Sequence, residues 1–304
     1  MDKLKQLAFW RYLALGLSTA LVLGSLLTLS LRGLPLGQDF TGGMVQEVAL
    51  AQPIGAQELT QLLTPILKEK PQVVRNDDGW RIRYRADPGP GFSLAKALEA
   101  KLGSPVRLKS SSYLYSQVGD DQAAQSVLAL LLAALAILGY LAWRFEWRLA
   151  SGALLALAHD LLLVLGVFSL LGLEFDLSVL AALLAVMGYS VNDSIVVADR
   201  LRETLGRHPK VATATLVDRA VRATFSRTLV TSGTTLFTVG AILWLGGAAL
   251  FGFALALLVG IVVGTWSSIF VAATLGELFG LKAEHYAPKP RESKEGERQS
   301  ALPY

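Results

Sequence analysis

Two aspartates stand inside long apolar runs of the sequence, where an ionisable side chain is costly and is by default a functional-site hypothesis. Asp160 follows His159 near the middle of one run, and Asp193 follows Asn192 in the next run. A carboxyl group surrounded by little water changes between its charged and protonated forms when a neighbouring charge moves. These residue types therefore predict proton binding and release rather than covalent chemistry.

Arg227 is the predicted partner of Asp193. Asp193 lies about five residues, or roughly 8 Å, from one end of its predicted helix, and Arg227 opens the next helix from the same side. A carboxylate beside a guanidinium stays ionised, and it takes a proton when the guanidinium moves away. The alternatives are a static Asp–Arg pair or a polar helix-packing cluster. For His159 we expect a satisfied polar contact, because neighbouring residues lie about 100° apart on a helix and do not share a face with each other.

Six apolar segments are long enough to carry these residues through a bilayer, which takes about 20 mostly apolar residues. Apolar residues make up 53% of the 304 residues and charged residues only 17%. The run 228–276 has 49 uncharged residues and needs a turn, for which Leu245–Leu250 is the natural place. The first segment is a span rather than a cleaved signal peptide, because it is long and no small-residue cleavage site follows. The predicted transmembrane segments are residues 13–31, 122–143, 149–173, 177–198, 228–246 and 250–276.

Lysines and arginines near the span ends predict the orientation, because cytoplasmic loops are rich in them. The loop 199–227 carries many of them and is expected to contain an amphipathic helix, whereas the loop after the third span carries acidic residues alone. Residues 1–12 and 277–304 are therefore predicted to be cytoplasmic, and residues 32–121 extracytoplasmic, in a multi-pass protein of the cell inner membrane. The polar tail 277–304 is predicted to be disordered.

The extracytoplasmic segment is predicted to fold as a small α+β domain. Its strand and helix patterns follow the order βαββαβ, which is typical of a ferredoxin-like fold. The fold class is thus an all-α membrane bundle of six transmembrane helices with a ferredoxin-like domain between helices 1 and 2. The alternating run W-R-I-R-Y-R places Arg81, Arg83 and Arg85 on one face of a strand. That face is either the solvated side of a half-buried sheet or a contact surface for an acidic partner.

Small residues surround the two aspartates and favour close helix packing and interhelical hydrogen bonds. The hydroxyl-bearing ones are also able to line a hydrated proton path; they are Ser190, Ser194, Ser226, Thr228, Thr231, Ser232, Thr234 and Thr235. The glycines expected at close helix contacts are Gly188, Gly233, Gly260 and Gly264.

The composition argues against several classes of site. The sequence has no cysteine, which excludes disulfides, thiolate metal sites and thiol catalysis. Its three histidines form no cluster with metal-ligand spacing. The basic residues are spread over loops without interleaved aromatics, which argues against nucleic-acid binding. We therefore expect no catalytic residue, no metal and no cofactor.

Three segments resemble the SecD/SecF family of membrane proteins. Gly37–Gly43 resembles the signature G-x-D-F-x-G-G of its SecF branch, and Phe40 favours this branch because SecD subunits typically have Leu there. Residues 188–203 are similar to the family pattern G-Y-S-x-N-D-[ST]-I-V-V-x-D-R-x-R-E, and residues 226–232 to S-R-T-x-x-T-S. The three motifs occur in order at the matching places among the predicted spans.

The chain departs from the family pattern in two places. Residues 117–121 keep only Val-Gly of a longer pattern, and Asp218–Val221 stands where a more neutral segment is expected. The resemblance covers residues 9–280 and implies one half of a transporter of the RND superfamily. The proton-pathway residues that it implies are Asp193, Arg227, Asp160 and Asn192. The hinge or loop residues that it implies after the first span are Gly37, Asp39, Phe40, Gly42 and Gly43.

The resemblance also implies partners and a function. The implied partners are SecD as a heterodimer partner, the SecYEG channel, the SecA motor, a YajC-like small subunit, unfolded secretory polypeptides and membrane lipid. The implied function is to use the proton motive force to promote protein export on the extracytoplasmic side. An RND-type exporter of a small molecule or lipid is one alternative, and it favours a much larger outer domain. A non-transporting membrane scaffold is the other, and it predicts that the intramembrane ionisable residues are dispensable.

Overall fold

A computed structural model describes residues 2–76, 79–84, 92–114 and 116–286 of the chain. Within this part, six helices are long and apolar enough to cross a membrane. The bounds of the helices that contain these spans are α1 (Asp2–Arg32), α5 (Ser116–Arg144), α6 (Trp147–Leu171), α7 (Leu177–Arg207), α8 (Thr213–Leu245) and α9 (Gly247–Ser267). The protein is therefore a multi-pass membrane protein.

The sixth span continues beyond α9. A π-helical turn, Ser268–Ala272, leads into α10 (Ala273–Leu278). A 3₁₀ turn, Ala283–Tyr286, follows it. The predicted turn between the last two spans is present, because α8 ends at Leu245 and α9 begins two residues later.

A small sheet domain of residues 43–114 lies between the first two long helices. It contains β1 (Gly43–Leu50), α3 (Ala56–Leu67), β2 (Gln72–Asn76), β3 (Gly79–Tyr84), α4 (Leu94–Leu102) and β4 (Val106–Leu114). All three strand pairings are antiparallel, and the strand order is β2-β3-β1-β4. This order and the sequence βαββαβ confirm the predicted ferredoxin-like fold.

The core of the sheet domain follows from the period of two along β3. Trp80, Ile82 and Tyr84 are buried against α3 and α4, and Leu59 and Leu94 from those helices are fully buried. The arginines between them lie on the opposite face of the sheet. Arg81 pairs there with Glu47 at 2.7 Å. Arg85 lies outside the described residues.

The central helices of the bundle are α6 and α7: about half of the residues in the apolar stretch of each are buried, compared with about a tenth in α1 and α5. A buried cluster at one end of the bundle joins Leu149 of α6, Leu201 of α7 and Leu216 of α8. A second cluster at the other end joins Phe168 of α6 and Val179 of α7. These two helices thus hold the aspartates in the interior.

Two predicted boundaries are wrong. The loop 199–227 was expected to contain an amphipathic helix; in the structure α7 continues to Arg207 and residues Thr213–Leu245 form one helix, so only residues 208–212 remain as a loop. The helix continues because Leu216, Val217 and Ala220 are fully buried in the cluster described above, so the apolar face of this segment packs onto the bundle.

The second wrong boundary is the start of the predicted disordered tail, residues 277–304. Residues 277–286 are ordered, because Leu281 and Ala283 are buried against the same cluster. Gly280, with a φ of +79°, makes the turn that brings them back onto the bundle. The rest of the predicted tail, residues 287–304, lies outside the described residues.

Candidate functional site

Asp160 is completely buried and is held by side chains from three helices. On its Oδ2 atom, Ser190 of α7 donates a hydrogen bond of 2.5 Å and Ser267 of α9 donates one of 2.8 Å. On its Oδ1 atom, Nδ1 of His159 lies at 2.9 Å. The carboxyl group therefore ties the interior of α6 to both neighbouring helices.

Asp193 is buried one turn further along α7 than Ser190, with 3% of its surface exposed. Ser232 of α8 donates a longer hydrogen bond of 3.4 Å to its Oδ2 atom. Thr265 of α9 in turn donates to the Ser232 hydroxyl at 2.7 Å. Asp193 thus has a single side-chain hydrogen-bond donor among the described residues, and that donor belongs to a chain of hydroxyls.

The two aspartates and their partners form two hydrogen-bonded groups, one around each aspartate, which together are called the polar band and consist of His159, Asp160, Ser190, Asp193, Ser232, Thr265 and Ser267. Ser190 and Asp193 are three residues apart and share a face of α7. Two further buried hydroxyls in the same region, those of Ser194 and Thr228, have no hydrogen-bond partner among the described atoms. Buried carboxyl groups that are hydrogen-bonded to hydroxyls can take up and release protons, and the band therefore fits proton transfer better than covalent chemistry.

The prediction for His159 needs correction. Adjacent residues were expected not to share a face, but the His159 ring reaches Asp160 at 2.9 Å, and both residues are buried. Its Nε2 atom is buried without a partner among the described atoms. The histidine therefore belongs to the polar band, and the expected polar contact is formed at Nδ1 but not at Nε2.

Two of the predicted proton-pathway residues lie outside the band. Asn192 and Arg227 are exposed on the surface of this single chain. No ion pair joins Arg227 to Asp193 within the part of the chain that the structure describes, so the predicted Asp–Arg pair is not formed here. Both side chains lie on the outward faces of α7 and α8.

Small residues contribute unequally to the packing around the band. A Cβ atom added at Gly260 would lie 2.2 Å from a Val186 methyl group, and one at Gly264 would lie 3.2 Å from the Cβ atom of Ser190. These two glycines therefore make the predicted close contacts. Gly188 and Gly233 do not, since a Cβ atom would meet nothing within 4 Å at either position.

The eight hydroxyl-bearing residues named in the sequence analysis differ in how far they are buried. Ser190, Ser194, Thr228 and Ser232 are buried, whereas Ser226 and Thr234 are exposed. Thr231 and Thr235 are half-buried and bind the Tyr189 hydroxyl, through the carbonyl group of the former at 2.8 Å and the side chain of the latter at 2.6 Å.

Sequence reasoning missed Thr265 and Ser267, although both belong to the band. The signal was present, because they are polar residues one and three positions after Gly264 in a run without any charge. A polar side chain near a glycine at a close helix contact usually forms its hydrogen bond with the facing helix.

The G-x-D-F-x-G-G segment docks onto the loop between α6 and α7, residues 172–176. Gly37 donates a backbone hydrogen bond of 2.7 Å to Phe175, and a Cβ atom at Gly37 would approach the carbonyl oxygen of Phe175 to 3.1 Å. Phe40 is buried and stacks on the Phe175 ring at 5.7 Å. The Oδ2 atom of Asp39 accepts a hydrogen bond of 3.1 Å from the backbone N–H of Leu177. This segment therefore caps and anchors the start of α7, the helix that carries Asp193.

Gly42 and Gly43 follow this anchor and lead directly into the sheet domain. Their φ angles are +66° and +114°, values that side chains rarely tolerate. Gly42–Gly43 is therefore a turn that needs glycine, and it is the point at which the chain leaves the bundle for the sheet.

A third group of charges is buried where α1, α8 and α10 meet. Arg11 has no exposed surface, and it binds Asp218 at 2.7 Å, Glu277 at 3.0 Å and Thr274 at 3.1 Å. The predicted fifth and sixth spans, residues 228–246 and 250–276, contain no ionisable residue, and Asp218 and Glu277 lie outside them. Asp218, which belongs to the segment that departs from the family pattern, is thus the partner of Arg11.

The comparisons with known proteins agree with this architecture. Residues 95–282 match the family described as protein export membrane protein SecD/SecF, C-terminal. The protein translocase subunit SecF of Vibrio alginolyticus is 40% identical over 301 residues, which cover 97% of this chain and 95% of that protein. The chain belongs to the SecD/SecF family.

Other members place the chain on the SecF side of the family. The protein translocase subunit SecF of Pseudomonas aeruginosa is 39% identical over 274 residues, which cover 89% of each chain. The crystal structure of SecDF from Thermus thermophilus, titled a translocon-associated membrane protein, superposes with a TM-score of 0.78 at 33% identity. That match covers 89% of this chain and 38% of the SecDF chain, so this chain spans well under half of that larger protein.

The SecD/SecF motifs have distinct places in the structure. The first anchors α7, the second contains Asp193 within α7, and the third runs along α8 from exposed Arg227 to buried Ser232. All three therefore converge on a single helix pair and its anchor.

Proposed function

We propose that the chain is a subunit of the Sec protein translocase that uses the proton motive force, together with SecD, to promote protein export through the SecY channel on the extracytoplasmic side. The observation that carries this proposal is the polar band, since it places two buried carboxyl groups, each hydrogen-bonded to hydroxyls of neighbouring helices, inside the bundle. A non-transporting membrane scaffold gives no reason to bury two carboxyl groups among hydroxyls.

Asp193 is the proposed proton carrier and Asp160 its fixed neighbour. Asp160 is held by two serine hydroxyls and His159, whereas Asp193 has one weak donor and can change partner at less cost. Arg227 is the proposed partner of Asp193 in another stage of the cycle, and Asn192 borders the same path. Moving one charge across 100 mV supplies about 2.3 kcal/mol, so a few protons can drive a change in helix packing.

The exposed face of α7 and α8 supports a heterodimer with SecD. Arg227, Asn192 and Gly188 lie there without cover in the single chain. A guanidinium facing acyl chains is costly, so a second six-helix half covering this face removes that cost. The remaining proposed partners are the SecYEG channel, SecA, a YajC-like small subunit and the unfolded secretory polypeptide.

The proposed orientation places the sheet domain outside the cell inner membrane and both termini in the cytoplasm. Arg200, Arg202 and Arg207 lie at the end of α7, while the α6–α7 loop at the opposite end carries acidic residues. This asymmetry matches the positive-inside rule.

Replacement of Asp193 by Asn tests the proposal. The variant keeps the shape of the side chain but cannot bind and release a proton, so export should fall to the rate seen when the gradient is collapsed by an uncoupler. The measurement is the rate of preprotein export in cells that express only the variant, with SecD co-purification as the check on assembly.

The matched control is Asp199→Asn. Asp199 lies on the same helix but outside the band, and its more exposed side chain pairs with Arg144 at 2.6 Å. This control should keep the gradient-dependent part of export. Gradient-dependent export at the normal rate in the Asp193→Asn variant would remove Asp193 from the mechanism.

The competing functions have less support. A small-molecule or lipid exporter of the RND type favours a large outer domain with a substrate cleft, and the sheet domain here has four strands and two helices. We also propose that the chain forms no covalent intermediate and acts through conformational change.

A further inference from the structure

The sheet domain touches the helix bundle through an ion pair that lies outside the membrane spans. Arg83 of β3 binds Glu174 in the α6–α7 loop. Each side chain keeps about a quarter of its surface exposed, at 25% and 24%. The sheet is thus joined to the bundle at two places: by the chain itself at the Gly42–Gly43 turn, and by this ion pair.

Arg81 and Arg83 of β3 thus have partners in different parts of the molecule. Arg81 pairs with Glu47 inside the sheet domain, and Arg83, two residues later on the same face, pairs with Glu174 of the bundle. The sequence left open whether this face is solvated or meets an acidic partner. For Arg83, the acidic partner belongs to the same chain.

Two clefts flank the Arg83–Glu174 pair, and both residues line both clefts. One cleft, of about 520 Å³, also borders Gly42 and Met44. The other, of about 550 Å³, lies between Val74 of β2 and Trp244 at the end of α8. The ion pair therefore bridges a gap between the sheet domain and the bundle. If the pair breaks, the domain has room to change its angle relative to the bundle.

The charges around Glu174 single it out from its acidic neighbours. Asp39 accepts a hydrogen bond from the backbone of Leu177, and Asp176 accepts one of 2.9 Å from the backbone of Val179. Burial raises the pKa of the Glu174 carboxyl, the charges of Asp176 and Asp39 raise it further, and Arg83 opposes them. Asp39 and Asp176 thus cap α7, while Glu174 takes Arg83 as its partner.

We propose that Arg83 and Glu174 are positioning residues that couple the sheet domain to helix α7, so that a shift of α7 turns the domain about Gly42–Gly43. Glu174 precedes α7 by three residues, and Asp193 lies 16 residues after Leu177, about 24 Å along the same helix. The inference rests on the proposed function, since it takes Asp193 as the group whose protonation displaces α7.

Spin labels across the second cleft test the coupling, and the natural chain has no cysteine to interfere. Val74→Cys and Trp244→Cys place the labels on two side chains that are 39% and 88% exposed. The distance distribution is measured by pulsed electron spin resonance on the full chain with SecD in lipid nanodiscs. Glu174→Gln should widen the distribution, because the domain loses its charged contact with the bundle.

Two further variants serve as controls. The charge reversal Arg83→Glu with Glu174→Arg should restore the narrow distribution, since it rebuilds the pair with opposite polarity. Glu47→Gln removes the matched pair with Arg81 inside the sheet domain and should leave the distribution unchanged. A distance distribution that is equally narrow in the Glu174→Gln variant and in the labelled chain with the natural Arg83–Glu174 pair would overturn the proposal.

Asp193→Asn in the same labelled chain separates coupling from simple anchoring. It should shift the distance when the Arg83–Glu174 pair is present and lose that effect in the Glu174→Gln background. Equal shifts in both backgrounds would overturn the coupling, and so would the absence of a shift in the natural pair. Neither result bears on export by Asp193→Asn, so the proposed function stands or falls separately.

Discussion

At the scale of single residues, Asp160 and Asp193 are of the same type and both are buried, but they are held differently. Asp160 is surrounded by two serine hydroxyls and an imidazole, while Asp193 has one hydroxyl at 3.4 Å. Buried polar groups are normally hydrogen-bonded, so a weakly bonded carboxyl is the one able to exchange partners. The sequence predicted that both residues lie in apolar surroundings. It did not predict their partners, because these come from helices up to 107 residues away.

Arg11 is predicted to contribute more to stability than any exposed arginine of the bundle. Arg11→Met leaves Asp218 and Glu277 without their cation, and removal of one partner from a buried charge pair costs about 3–5 kcal/mol. The measurement is thermal or denaturant unfolding of the purified chain in detergent. Addition of Asp218→Leu should recover most of the loss, because the buried charge is then removed as well.

Arg227→Met is the control for this prediction. Arg227 is exposed and has no ion pair with Asp193, so its replacement should change the unfolding free energy by less than about 0.5 kcal/mol. Equal losses for the two arginines would show that the Arg11 cluster does not stabilise the fold.

At the scale of elements, α9 packs against α7 at glycine positions. Gly260→Ala forces a Cβ atom into Val186, and overpacking of this kind costs about 1–3 kcal/mol. Gly188→Ala, on the open side of α7, should instead be neutral or stabilise by up to about 1 kcal/mol, because alanine favours helix. Unfolding of the two variants in one detergent compares them directly, and a Gly260→Ala variant as stable as Gly188→Ala would contradict the packing.

Element boundaries were harder to predict than element types. Hydropathy located six spans and the βαββαβ order, since period and length are properties of the local sequence. The continuation of α8 back to Thr213 depends on where Leu216 and Ala220 pack, and that surface is formed by α6 and α7. The ordered residues 281–286 depend on the same surface.

At the scale of the whole molecule, the orientation can be tested with single cysteines in this cysteine-free chain. Leu245→Cys lies at the end of α8, next to the turn into α9, Lys101→Cys in the sheet domain and Lys210→Cys between α7 and α8, all at exposed positions. A membrane-impermeant thiol reagent added to spheroplasts should label the first two. Lys210→Cys should react only after the membrane is permeabilised, and labelling in the reverse pattern would invert the proposed topology.

The sequence by itself determined the number of spans, the fold class of the sheet domain and the family, because apolar length, periodicity and short motifs are local. The tertiary structure alone decided which residues meet. It joined Asp160 to Ser267, Arg11 to Asp218 and Arg83 to Glu174, and it left Arg227 on the surface of the single chain. Such contacts depend on how helices rotate and approach, and that is set by the packing of all side chains together.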